Sequence, residues 1–124
     1  MYRIVVLPDA VGTVPPGERV PRTVTVQLVG EIDALATTHL ALVLADARSD
    51  RPQTLVVDLS EVTFLNSSSL AVLQHASLTA EDRGATFRVV GAARALRRLL
   101  VWADMQHRLQ PAAEAAPHRA RQLT

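Results

Sequence analysis

Apolar and polar positions along the chain repeat with two different periods, and the changes between them divide it into elements. From Thr23 to Val29 the period is two: Val24, Val26 and Leu28 fall on one side and Thr23, Thr25 and Gln27 on the other, which predicts a half-buried strand. Leu55 to Leu59 is an apolar run interrupted only by Asp58 and predicts a buried strand. Tyr2 to Leu7 alternates more weakly and predicts a first strand ended by Pro8, and Thr86 to Val90 predicts a further one. Between the strands the period lengthens. Leu40, Val43, Leu44 and Ala47 form an i, i+3, i+4, i+7 stripe, so a helix starts at Leu35 or Ala36 and runs to Arg48. Leu70, Leu73, Gln74 and Ser77 carry a second helix from Ser67 to near Asp82, with Arg83-Gly84 as its stop signal. Arg94 to Trp102 predicts a third, with Leu96, Leu99 and Leu100 on one face and Arg97 and Arg98 outside. Trp102 is expected in the core or as a lid over it. Met105 to Leu109 is a candidate last short strand, with Gln106, His107 and Arg108 counting against it.

The segments between these elements carry turn residues. Gly12, Pro15, Pro16, Gly17 and Pro21 exclude a regular element from residues 8 to 22. That loop reads either as the end of a hairpin or as an elaboration for a partner. Gly30-Glu31-Ile32-Asp33 is expected to end the second strand, Ser49 to Pro52 to turn into the central one, and Ser60 to Leu65 to form a short connection. Asp58 is expected to serve structure. The tail from Pro111 to Thr124 is Ala-rich and broken by Pro111 and Pro117, so the domain is expected over 1–110 and a disordered or weakly ordered tail over 111–124. Strand, strand, helix, strand, helix, strand, helix implies right-handed βαβ crossovers: a single α/β domain with a mixed four- to five-stranded sheet and helices packed on it.

Composition narrows the class. One domain is what 124 residues support, and 48% apolar content with a formal charge of +1 describes a soluble globular chain. No apolar run is long enough to span a bilayer, and Met1-Tyr2-Arg3 leads into a strand with no signal-peptide pattern, so a cytoplasmic location without membrane insertion is expected. With no cysteine, neither a disulfide framework nor a thiolate metal site can form. Near-zero charge and 3% aromatic content argue against nucleic acid as a main partner. All thirteen basic residues are Arg, whose planar fork suits carboxylate and phosphate.

The candidate chemistry lies at Asn66-Ser67-Ser68-Ser69. Asn66 suits an N-cap, accepting from the N–H of Ser68 or Ser69, and Leu65 and Leu70 have the spacing of a hydrophobic staple. Three hydroxyls therefore sit where unpaired N–H groups and the positive end of a helix dipole meet, a place that welcomes phosphate. A plain cap and a modified or partner-contacting site are both compatible with this pattern. No enzyme signature is present: there is no Walker A sequence, no G-x-S-x-G and no His pair at metal spacing. Ser67 and His75 lie roughly 12 Å apart along one helix, too far for a nucleophile and its base. His39 is expected at the surface. We therefore expect no catalysis, no cofactor and no metal.

The run Val57-Asp-Leu-Ser-Glu-Val-Thr-Phe-Leu-Asn-Ser-Ser-Ser-Leu-Ala-Val-Leu73 resembles the signature of the STAS domain of bacterial anti-sigma-factor antagonists. Gly30-Glu31-Ile32-Asp33 matches a second element of that family, and Phe87 to Gly91 with Leu96 to Leu100 a third; together they cover residues 23 to 110 in order. The chain departs from the family at two positions, with Asn66 in place of Asp and Ser69 in place of Gly. The resemblance implies a phosphorylation-controlled adaptor. Its unmodified form would bind an anti-sigma factor with a histidine-kinase-like ATPase domain, a serine kinase, and so release a sigma factor. Phosphorylation at Ser67, with Ser68 as the fallback, would end that binding, and a serine phosphatase is a second candidate partner. Asp33, Asn66, Ser67, Ser68, Ser69 and Leu70 are the partner-binding residues the resemblance implies; Asp33 is also a candidate helix cap. The alternative is a non-switching STAS adaptor or accessory subunit, for example of a lipid-transport ATPase or a larger signalling assembly. Monomer and dimer both stay open.

Overall fold

The computed structural model describes residues 1–8, 22–49, 51–103 and 105. Four strands, β1 (Tyr2–Pro8), β2 (Thr23–Ile32), β3 (Thr54–Leu65) and β4 (Thr86–Val90), form one mixed sheet in the order β1-β2-β3-β4. β1 pairs antiparallel with β2, while β2, β3 and β4 run parallel. The parallel crossovers are made by α1 (Ala34–Ser49) and α2 (Ser67–Asp82), and α3 (Arg94–Trp102) follows β4. Crossovers of one hand, stepping the same way across a sheet, place their helices on the same face. α1 and α2 accordingly pack on each other, α1 over β1 and β2 and α2 over β3 and β4.

The core forms where the two periods meet. Val24, Val26 and Leu28 of β2 and Leu55, Val57 and Leu59 of β3 are buried against Leu40 and Leu44 of α1 and Leu73 and Ala76 of α2. Burial of such a side chain contributes about 1.5–3 kcal/mol, so these residues dominate the driving force for folding. α2 ends in a Schellman arrangement. The Ala85 N–H donates to the Ala80 carbonyl and the Gly84 N–H to that of Glu81, with Gly84 at φ +82 in the left-handed region that Gly enters without a Cβ penalty.

Several elements differ from the sequence reading. β3 does not stop at Leu59. Residues Ser60 to Leu65, expected as a connection, continue the strand, because β2 itself runs past Gly30 to Ile32 and offers them a partner. The register slips between Gln27 and Val29 and again between Gly30 and Glu31, each time with one extra residue on β3. These bulges erase the period of two. Gly30, expected to end β2, instead sits at one bulge with φ +87, where a Cβ would collide with the Met1 carbonyl. Thr25, expected on an open face, is buried.

Leu99 is 39% exposed and Trp102 88% exposed, so neither lies in the core, and Trp102 caps nothing. Only Leu96 and Leu100 of α3 point inward, since a nine-residue helix has room for one narrow stripe. Met105 is fully buried outside any strand, its N–H donating to the Leu100 carbonyl. The rest of the expected last strand, the 8–22 loop beyond Pro8 and before Arg22, and the tail lie outside the described residues.

Candidate functional site

β2 and β3 end side by side, with Ile32 paired to Leu65, so the two helices that follow them begin next to each other. Each start has its own cap. The Asp33 carboxylate accepts from the N–H groups of Leu35 and Ala36 at 3.1 and 3.2 Å. At α2, the Asn66 side chain accepts from the Ser69 N–H at 2.8 Å, with Asn66 itself extended at φ −82 and ψ 169. The Asn66 N–H donates in turn to the Ile32 carbonyl at 3.1 Å, which ties the α2 start to the end of β2.

The three serines then divide. Ser67 and Ser68 are exposed, and no group among the described residues pairs with their backbone N–H groups. Ser69 turns the other way. It is fully buried, which corrects the expectation that all three hydroxyls face a partner. Helical geometry is the cause: residues two apart point some 200° apart around the axis, so an outward Ser67 sends Ser69 inward.

Its hydroxyl lies 2.7 Å from Thr37 Oγ1 of α1. The Thr37 hydroxyl has one proton and is also 3.0 Å from the Asp33 carbonyl. One donor order satisfies both contacts: Ser69 donates to Thr37, and Thr37 donates to Asp33. A chain of two hydroxyls thus fastens the two helix starts beneath the exposed serines. Asn66 Oδ1 at 3.4 Å from Thr37 and the Ile32 carbonyl at 3.5 Å from Ser69 are longer, secondary contacts.

Around the exposed serines the surface is apolar and carries an acid. Leu35 is 82% exposed and Phe64 51%, while Asp33, Asn66 and Leu70 are half-buried. Sequence reasoning missed Leu35, Phe64 and Thr37. Leu35 lies off the α1 stripe, which was a usable signal. Phe64 stood in a segment read as a connection. Thr37 had no local signal, because its partner is 32 residues away.

The remaining candidates fall elsewhere. His75 is exposed, and His39 is an exposed residue whose Nδ1 meets the Tyr2 hydroxyl at 3.0 Å. Asp58 is buried and accepts from the Ser60 N–H at 2.8 Å, just where β3 bulges. Among the described residues no cluster of three or more His, Asp or Glu is placed to hold a metal, and no helix is long and apolar enough to cross a membrane. An accessible hydroxyl, N–H groups without a partner among the described residues, and exposed apolar side chains thus lie together at this end of the sheet.

Residues 18–111 match the protein family described as "Mlab, STAS domain". A search of curated proteins finds no match. Among solved structures, an anti-sigma factor antagonist from Mycobacterium paratuberculosis is similar, with 26% identity, 96% of this chain and 95% of that one covered, and a TM-score of 0.70. The anti-sigma factor antagonist SpoIIAA in its unphosphorylated form shares the fold at 16% identity, covering 97% of this chain and 99% of that one, with a TM-score of 0.70. The STAS domain of a SulP transporter from Vibrio cholerae does so at 21% identity, covering 77% and 81%, with a TM-score of 0.54.

Proposed function

The chain belongs to the STAS domain family, and from that premise we propose that it is an anti-sigma-factor antagonist working by partner switching. In the unphosphorylated form it binds an anti-sigma serine kinase with a histidine-kinase-like ATPase domain and so releases a sigma factor; phosphorylation at Ser67 ends the binding. The observation that carries this reading is the exposed Ser67 hydroxyl on the first turn of α2, beside an unpaired N–H, the neighbouring start of α1 and the exposed Leu35 and Phe64. The kinase supplies the chemistry by positioning and electrostatics around ATP and Mg²⁺, and this chain supplies the acceptor. The departure from the family's Gly at Ser69 does not oppose the reading, because that side chain faces inward and adds no bulk to the surface. Asn66 keeps the cap hydrogen bond that Asp would make.

The contact surface in this reading comprises Asp33, Asn66, Ser67, Ser68 and Leu70, with Ser69 supporting it from beneath, in a cytoplasmic protein whose modification a serine phosphatase reverses. Incubation of the full chain with the cognate anti-sigma kinase and ATP, followed by phosphopeptide mapping, tests it. Phosphate is expected on Ser67, with Ser68 as the fallback one residue along the same turn. Phosphate only elsewhere, or nowhere, would sink the switch.

The fold likeness to a transporter STAS domain favours a second reading, an adaptor in a larger assembly that phosphate does not control. A pull-down in the presence of ADP or ATP separates the two. Capture of a small kinase supports the first, and capture of a permease or transport ATPase whatever the nucleotide supports the second.

A further inference from the structure

At the opposite end of the sheet from Ser67, where α1 and α2 finish and β3 begins, lies a cavity of about 460 Å³. That is within the range of roughly 300–1,000 Å³ usual for small-molecule sites. Its lining carries three arginines, Arg48, Arg51 and Arg83, over an apolar floor of Pro52, Leu55 and Ala80. Among the described residues no acidic side chain lines it. The three arginines come from three structural positions: the last turn of α1, the turn into β3, and the C-cap of α2.

A simpler account is that basic side chains near helix C-termini answer the helix dipoles. That account predicts guanidinium groups bonded to the last carbonyls or solvated outside, and Arg48 Nη1 is neither. It is buried and donates to no acceptor. An unsatisfied buried donor is rare and costly, the more so on a charged group, and an acceptor that drew this side chain a little toward the cavity would relieve it. The Arg48 side chain also borders a second, smaller cavity of about 230 Å³ between α1 and α2. Arg51 sits at φ +52, in the left-handed region where Gly or Asn is usual.

We propose that this cavity is a binding site for a small organic phosphate, with the phosphate held by Arg48, Arg51 and Arg83 and the organic part resting on Pro52, Leu55 and Ala80. Forked guanidinium groups match the oxygens of a phosphate dianion, and three of them together are better neutralised by a dianion than by a single carboxylate. The apolar floor gives the rest of the molecule a dry surface. The site is separate from the Ser67 surface, by roughly 24 Å along the 16 residues of α2, and does not depend on the switch.

Titration of the ¹⁵N-labelled full chain with phenyl phosphate tests this. Amide resonances of Arg51, Gln53 and Ala85 are expected to move while those of Ser67 and Ser68 stay in place. Inorganic phosphate should compete more weakly, lacking an apolar body. Arg83→Gln and Arg48→Gln are each expected to weaken binding about tenfold, the loss of a charge-assisted hydrogen bond. If Arg48→Gln fails to fold, the exposed Arg83 and Arg51 carry the test through Arg83→Gln and Arg51→Gln. Co-sedimentation with phosphatidylglycerol but not phosphatidylcholine vesicles, weakened by Arg83→Gln, without binding of soluble phenyl phosphate, supports the same site with a lipid headgroup as the phosphate source. Shifts confined to Ser67–Ser69, affinity unchanged in the arginine variants, or no binding of phenyl phosphate or vesicles would each overturn the proposal.

Discussion

α2 and α3 both follow a strand of the same sheet and both bury one face, through Leu73, Ala76 and Ala80 in α2 and Leu96 and Leu100 in α3, yet their first turns have little in common. α2 starts on Asn66, whose side chain bonds the Ser69 N–H, and its third residue hydrogen-bonds across to α1. α3 starts on Ala93, extended at φ −66 and ψ 162 like any N-cap but with no side chain to bond, and Arg94 brings a positive charge to the positive end of the dipole. What holds α3 is its far end, where Gln74 of α2 donates to the Ala103 carbonyl at 2.9 Å and Met105 is buried. Of these two starts, the one beneath the exposed Ser67 is anchored by side chains and the other is not. A start secured from below can accept a charge on its outer face without coming apart.

The largest expected effect tests that claim at the anchored start. Ser67→Asp, or the phosphorylated protein, is expected to melt within a few degrees of wild type while losing the kinase partner by more than a hundredfold. The modification adds about −1.5 to −2 charges beside unpaired N–H groups, which is neutral or mildly stabilising locally. A partner shaped for a hydroxyl must bury that charge unpaired, at a cost of several kcal/mol. Ser67→Ala should bind permanently. Calorimetric melting and binding titration on the same samples decide it; an Asp variant that unfolds, or that binds as tightly as wild type, would refute the mechanism.

The next effect concerns the fastening beneath. Ser69→Ala removes the donor to Thr37 and is expected to destabilise the fold by about 1–2 kcal/mol. Combined with Thr37→Val, it should show a coupling of at least about 0.5 kcal/mol in a double-mutant cycle of urea unfolding. Additive losses would mean that the two hydroxyls do not act as a pair.

Exchanging the caps sharpens the comparison directly. Asn66→Ala is expected to cost about 1 kcal/mol, and Ala93→Ser to stabilise by about 0.5–1 kcal/mol, because the extended backbone at Ala93 already suits a capping side chain. A loss from Ala93→Ser in denaturant melts would show that the α3 start is held by something other than its backbone.

The smallest effect is electrostatic. Asn66→Asp keeps the cap and adds a charge worth about 0.3–1 kcal/mol to α2 at low salt. The same charge beside Ser67 should slow phosphorylation and lower the stability of the phosphorylated form relative to the unmodified one, by like-charge repulsion. If neither rate nor stability changes, Asn66 is a cap and nothing more.

Much of this was legible from residue order. The inward Val24, Val26 and Leu28 of β2, the longer period of α1 and α2, the Asn66 cap and the Gly84 stop all stand where sequence reasoning put them. Within the candidate site the start of α2 at Ser67 was legible, and the burial of Ser69 was not, since a run of three serines does not say which one faces inward. The outer strand residues were misread because two extra residues on β3 break the alternation that would have announced them.

Residue order determined what depends on neighbours within about one helical turn: backbone preference, capping and the side of an element that is apolar. These act through dihedral sterics and hydrogen bonds that reach only a few residues. The tertiary structure decided what depends on partners far along the chain. Ser60 to Leu65 became strand because the end of β2 lay alongside, and Ser69 became a buried link because Thr37 stood across from it. Trp102 stayed outside because α3 packs through Leu96 and Leu100 alone, and Arg48 was left with a buried donor because no acceptor lies within reach of it. Burial and pairing are properties of the packed neighbourhood, and that neighbourhood exists only once the sheet and its helices have come together.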